Sequence, residues 1–293
     1  MINYSINELE KLTGIKAHTI RMWEKRYHVF SPQRTETNIR YYNDDDLKKL
    51  LNISTLNRHG IKISKIATMN EETIREKVMD LSGATGNNES LINNLIVSMI
   101  EFSEESFEHI LNSSILKLGF ERTVTEVLYP FLEKIGVLWQ TGSVNPAQEH
   151  FITNLIRQKL IIAIDGQAAK TRADAKTFLL FLPEQEFHEL GLLFYTFLLK
   201  KNGHRVVYLG QSVPFEDLQE VVKVRNSDYL FTYFVAALRQ EDIPAYLRQL
   251  STAFPKKTIF ITGIQVQYTT LELPENIVVI KNGEEFKSLL KSI

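Results

Sequence analysis

Two groups of side chains in this 293-residue sequence combine residue type and spacing in a way that could do chemistry. The first is Glu186-Phe187-His188-Glu189-Leu190-Gly191. An imidazole at His188 can ligate a metal through one ring nitrogen while Glu186, two residues earlier, accepts a hydrogen bond from the other and raises its basicity. Taken alone, a histidine such as His188 is more often a satisfied loop or helix-cap residue. The second group is Lys16, His18, Thr19 and Arg21, which open a helical stretch whose Ile20 and Trp23 face inward. Reading base edges in a major groove needs long donor side chains at the start of a helix, and this set supplies them. Arg26, Arg34 and Arg40 could then reach flanking phosphates; the plain alternative is a solvated basic face.

What is missing narrows the chemistry. There is no cysteine, so disulfides, thiolate metal sites, cysteine nucleophiles and sulfur redox switching are excluded. Paired carboxylates, a Ser-His-Asp order, a phosphate-cradling glycine loop and a catalytic His-Glu metal spacing are also missing, so the chain is not expected to be an enzyme. With 44% apolar and 24% charged residues the composition is that of an ordinary globular protein. No apolar run approaches a membrane span, which makes the cytoplasm the expected location. Residues 1–68 hold 12 Lys+Arg against 7 Asp+Glu, giving +5 there and −6 over the remainder. A basic start on an acidic body is the asymmetry expected when one module faces phosphates.

The elements that must position these side chains follow from periodicity. Ser5 to Leu12 reads as a helix capped by Ser5, Thr13-Gly14 as a turn, and Lys16 to Tyr27 as a second helix. Val29 to Tyr42 suits a small hairpin or wing, and a Leu-rich helix begins near Asp44. Residues 81–90, small and polar around Gly83-Ala84-Thr85-Gly86-Asn87-Asn88, read as a linker that closes a first domain over 1–80. Residues 91–170 keep helical spacing with breaks near Gly119, Pro130 and Thr141 to Pro146, which predicts four helices in a bundle. Over 175–293 the apolar runs Thr177 to Leu182, Val206 to Leu209, Tyr229 to Phe234, Ile259 to Thr262 and Ile277 to Ile280 alternate with helices led by Phe187, Phe215, Glu241 and Glu284. The expected architecture is multidomain α plus α/β: a winged helix-turn-helix, a four-helix bundle, and a doubly wound parallel sheet of five strands with ligands at the strands' carboxyl ends. Tyr229, Tyr233, Phe234 and Tyr268 are assigned to core packing.

The N-terminal string Tyr4-Ser5-Ile6, Ile20-Arg21-Met22-Trp23-Glu24-Lys25-Arg26-Tyr27, Arg34-Thr35 and Asn38-Ile39-Arg40-Tyr41-Tyr42 resembles the MerR family of regulators. The resemblance implies a recognition helix in the major groove, a wing whose Arg34, Asn38, Arg40 and Tyr41 hold the DNA backbone, and dimers on a palindromic operator. Glu186-x-His188-x-x-Gly191 resembles the motif of cobalamin-binding domains, where the His ligates cobalt from below and the Gly admits the nucleotide tail. Gly210 after Tyr208-Leu209, Thr232 on the third strand and Gly263 extend that match, with Thr262 standing where the family has a second Gly. Trp139 followed after nine residues by Glu149-His150 is similar to the bundle signature of light-sensing, adenosylcobalamin-dependent members of the MerR family. There the indole shields the upper axial group, and the carboxylate and imidazole bond its sugar. Gln140 stands where those photoreceptors have His, so light sensing by that route is not implied.

These resemblances together imply a DNA-binding transcriptional regulator, a homodimer or homotetramer, whose DNA affinity or assembly is controlled by adenosylcobalamin or methylcobalamin. Two other functions are consistent with parts of the sequence. The α/β domain could sense another small ligand or serve as an interaction platform, or the chain could be a corrinoid-carrying enzyme subunit; the latter would need a substrate barrel in a partner.

Overall fold

The computed structural model describes residues 3–30, 32–35, 37–84, 88–140, 144–167, 171–236, 238–239, 241–267 and 272–293. The chain falls into two compact units, Met1–Leu155 and Ile156–Ile293.

In the first unit, α1 (Ile6–Thr13) starts at a reciprocal cap in which Ser5 accepts from the Glu8 amide while the Glu8 carboxylate accepts from the Ser5 amide, and it ends at Gly14 with φ 70°. Helix α2 (Ala17–Tyr27) has no side-chain cap of its own at Lys16. The Glu10 carboxylate serves instead, taking the Ala17 amide at 2.9 Å and the Lys16 ammonium at 2.9 Å. Ile20 and Trp23 of α2 are buried, each stabilising the turn by about 2 kcal/mol. Strands β1 (Gln33–Arg34) and β2 (Arg40–Tyr41) pair antiparallel as the expected wing, with Asn38 at φ 64° between them. A backbone bridge from Tyr4 to Tyr42 fastens the chain's start to the wing. Helix α3 (Asp44–Arg58), capped by Asn43 and Asp46, leads to α4 (Ile63–Ile66) and α5 (Glu71–Ala84).

The segment expected to be a linker is helical on both sides. Helix α5 continues through Gly83 and Ala84, and α6 (Asn88–Ile100) starts at Asn88; residues 85–87 lie outside the described residues. Ser90, Asn93 and Asn94 of α6 are buried with its apolar residues, so tertiary packing overrides their low helix propensity. Helix α7 (Glu104–Leu118) is capped by Ser103 and stops at Gly119, as expected. The break expected near Pro130 does not occur. Helix α8 (Phe120–Thr123) runs through a π-helical turn, Val124–Leu128, into α9 (Tyr129–Gln140). The Tyr129 amide reaches back five residues to the Val124 carbonyl, and this wider turn lets Pro130, which has no N–H, follow without interrupting the helix. Helix α10 (Pro146–Asp165) starts at a reciprocal Asn145–Gln148 cap. The division between the two units falls within it.

The second unit holds β3 (Thr177–Pro183), α11 (Leu190–Lys201), β4 (Arg205–Val213), α12 (Phe215–Val224), β5 (Tyr229–Tyr233), α13 (Ile243–Ala253), β6 (Thr258–Thr262), α14 (Ile264–Gln267), β7 (Ile277–Val279) and α15 (Gly283–Leu290). All five strands are parallel in the order β4-β3-β5-β6-β7. Phe178, Leu179, Leu180 and Phe181 are fully buried, as an apolar run between two helical layers requires. Leu230 and Phe234 pack with Leu218 of α12 and Ile243 and Leu247 of α13 on one face. On the other, Phe231 meets Tyr195 of α11 and Phe286 of α15. Chain direction through the sheet reverses at β3, so the crevice above β3 and β5 is the topological switch point. Two boundaries differ from expectation. Strand β4 does not stop at Leu209 but bulges there and continues to Val213, and α11 starts at Leu190 rather than Phe187.

Candidate functional site

Because α11 starts late, Glu184 to Glu189 form a loop at the carboxyl end of β3, beside the switch point. His188 lies in this loop with its side chain 52% exposed, and its Nδ1 donates to Glu186 Oε1 at 2.5 Å. Glu186 itself is 1% exposed. Its Oε1 also accepts the amides of Phe187 (3.1 Å) and His188 (3.2 Å), and its Oε2 those of Val235 (2.9 Å) and Ala236 (2.8 Å). Five donors on one carboxylate offset its loss of hydration and bind the loop after β3 to the loop after β5. An ionised carboxylate only accepts, so Nδ1 carries the ring hydrogen and Nε2 is the nitrogen through which this imidazole could ligate.

Two residues of β4, Gln211 and Ser212, hold the same loop from its other side through three hydrogen bonds. Ser212 N donates to Glu186 O at 3.0 Å, Gln211 Nε2 to Phe187 O at 2.9 Å, and Gln185 N to Ser212 Oγ at 3.0 Å. At the start of α11, Glu189 accepts from Arg157 of α10 (2.6 Å) and from the Tyr208 hydroxyl of β4 (2.7 Å). Burial and that carboxylate raise the Tyr208 phenol well above its ordinary range. Sequence reasoning missed Arg157, Gln211 and the two amides after β5, because they reach the loop only through the fold. Tyr208 and Glu189 lay inside the matched strings, and their polar type at a strand end was the available signal.

The remaining α/β residues are not all brought together. Gly191 lies on α11 with the Tyr233 ring against its backbone; a β-carbon there would sit 2.5 Å from Tyr233 Cε2 and Cζ. Burial, with Glu186 nearby, pushes the Tyr233 phenol up to about 12. Thr232, one position earlier on β5, belongs to the opposite face, and its buried Oγ1 has no hydrogen-bond partner. Gly210 sits at the β4 bulge with φ 82°, and Gly263 after β6 has φ 110°. A β-carbon at Gly263 would fall 2.1 Å from the Phe234 carbonyl oxygen, so close chain passage alone demands this glycine. Thr262 is engaged within the domain, its hydroxyl donating to Ile280 O at 2.6 Å. The donor set at His188 therefore fits a cobalt ligand, whereas the cradle expected at Gly191 is filled by an aromatic ring.

In the first unit, Trp139 stands on the last turn of α9 with 56% of its surface exposed. Glu149 is half-buried and His150 exposed in the first turn of α10, both placed by the Asn145–Gln148 cap.

In the same unit His18, Arg21, Met22 and Arg26 are exposed along α2 and Thr19 is half-buried, while the Lys16 ammonium is paired with Glu10. Arg26 stacks over the Tyr27 ring. The wing cations have partners inside the module. Arg34 donates to Asn38 Oδ1 at 2.8 Å, Tyr41 to Gln33 Oε1 at 2.6 Å, and Arg40 Nε to both Glu24 oxygens at 3.3 Å. Arg40 thereby ties the wing to α2 in addition to any phosphate it meets. Ile39 at the wing is 63% exposed.

Comparison with known proteins agrees with this arrangement. Residues 4–73 match the family described as MerR HTH family regulatory protein, and residues 91–164, which contain Trp139, Glu149 and His150, match the B12 binding domain. The chain is 30% identical over 259 residues to the HTH-type transcriptional repressor CarH of Myxococcus xanthus, covering 86% of each protein. It is 27% identical over 262 residues to the HTH-type transcriptional repressor CarA of the same organism, covering 88% of this chain and 86% of that protein. The fold resembles that of the Methanosarcina barkeri monomethylamine corrinoid protein, with a TM-score of 0.55 and 15% identity over 71% of this chain and all of the other. The chain therefore belongs to the family of MerR-type transcriptional regulators with a B12-binding domain that includes CarH.

Proposed function

We propose that this regulator binds a palindromic operator through α2 and the wing, and that a corrinoid ligated by His188 changes its affinity for that DNA. The observation that carries the reading is the exposed His188 imidazole held by the buried, five-fold hydrogen-bonded Glu186 carboxylate at the switch point. Residues 1–80 are assigned to DNA binding, 91–170 to a bundle that caps the cofactor, and 175–293 to the α/β corrinoid domain. Lys16, His18, Thr19 and Arg21 read base edges; Arg26, Arg34, Asn38, Arg40 and Tyr41 position the backbone.

Bound cobalamin supplies a cobalt centre whose upper axial group differs between the adenosyl and methyl forms. On the protein's side, Glu186 holds His188 in one tautomer, and the loop contacts from β4 keep the ring from turning. Trp139 would shield the adenosyl group of such a cofactor, and Glu149 and His150 would hydrogen-bond to its sugar. Among the described residues no helix is long and apolar enough to cross a membrane, in keeping with a cytoplasmic regulator. Dimers or tetramers would match the two-fold symmetry of a palindrome.

The test is an operator titration at fixed salt with and without adenosylcobalamin. A coupling of about 1 to 3 kcal/mol, or roughly 5- to 150-fold in Kd, is expected. In the same assay Arg21→Ala should lose about 1 to 3 kcal/mol and relax specificity at one base pair. Equal affinity with and without cofactor would reject the reading.

A further inference from the structure

We propose that Tyr233 keeps the nucleotide tail of the corrinoid out of the layer between the sheet and α11, so that this chain holds its cofactor without burying the tail there. The proposal rests on the cobalamin reading above. A tail buried beside Gly191 would need the space in which the Tyr233 ring lies, 2.5 Å from where a β-carbon would be. That ring belongs to a closed aromatic layer. Tyr195, one turn after Gly191 on α11, has its centroid 6.2 Å from Tyr233 and 4.7 Å from Phe231, and Phe286 of α15 is 5.2 Å from both Tyr195 and Phe231. Tyr195, Phe231 and Phe286 are all buried.

Alternation along β5 decides which of its side chains meet α11. Phe231 and Tyr233 face α11, while Leu230, Thr232 and Phe234 face α12 and α13, which puts the unpartnered Thr232 hydroxyl behind the sheet. A benzimidazole-sized base is close to an indole in bulk, and a layer packed at a density of about 0.75 has no hole of that size. His188 stands outside this layer on the loop before α11, so corrin ligation and tail exclusion are compatible.

The experiment is a dark titration of the purified full chain with adenosylcobalamin and with adenosylcobinamide, which has the same upper ligand and no tail, read by equilibrium dialysis and by absorption. Wild type and Tyr233→Phe should bind the two within about threefold of one another. Tyr233→Ser, its native fold checked by circular dichroism, should favour cobalamin by at least about tenfold. A wild-type preference for cobalamin above about tenfold overturns the proposal. So does a folded Tyr233→Ser with no new preference; if that variant does not fold, the wild-type ratio still decides. Failure of both corrinoids to bind any form removes the cobalamin reading itself, and the proposal with it.

Discussion

A histidine can be exposed and poised, as His188 is, or buried and silent, and this chain contains both. His204 is 5% exposed, its Nδ1 accepts the Lys176 amide at 3.3 Å, and its Nε2 has no partner. Burial, then Arg172 and Lys176 against an opposing Asp174, holds its pKa below the ordinary value of about 6.5. Near and below that ordinary value the unfolded chain therefore binds more protons at this ring than the folded protein does. Its contribution to stability is complete above the unfolded pKa and declines as pH falls from there to the lower folded pKa. Urea unfolding at pH 7.5 and 5.5 should show a larger loss in wild type than in His204→Gln, which keeps an acceptor for Lys176; equal losses would refute this. At the same scale, the Glu186-x-His188 pair was legible because both partners are two residues apart. Val235, Ala236 and Tyr233, more than forty residues away, meet the motif only through the register of β3 with β5.

Among the elements, the strands and most helices follow from local pattern, and the misreadings share one physical origin. Pro130 signals a break locally, yet it sits in a helix that tertiary burial sustains, with a π turn before it, and Gly83, which signals one too, is still helical in α5. The delayed start of α11 could not be read from periodicity either, because what keeps Phe187 and His188 out of the helix is the Glu186 carboxylate bonded to both amides. Gly263 is the reverse case. The family pattern gave it a cofactor role, and the Phe234 carbonyl gives it a structural one. Gly263→Ala should therefore destabilise the α/β unit by about 2 to 4 kcal/mol, visible in urea unfolding without any ligand. An unchanged midpoint would show that β6 and the loop after β5 can separate at no cost.

The whole chain joins a positively charged DNA-reading end to an acidic remainder, with +5 over residues 1–68 and −6 beyond. That asymmetry, the missing cysteines and the two motifs make the regulator legible in the order of its amino acids. The filled cradle at Gly191 is not legible there, since it depends on which face of β5 Tyr233 occupies. At this scale everything turns on whether His188 is a cobalt ligand. The direct measurement is an absorption titration of the apoprotein with adenosylcobalamin in the dark, beside a His188→Ala variant. Wild type should bind with the spectral change of a new lower axial ligand, and the variant should lose that change together with at least about tenfold in affinity. The same spectrum and affinity in both proteins would contradict the account and leave a DNA-binding regulator that takes its cofactor by other residues.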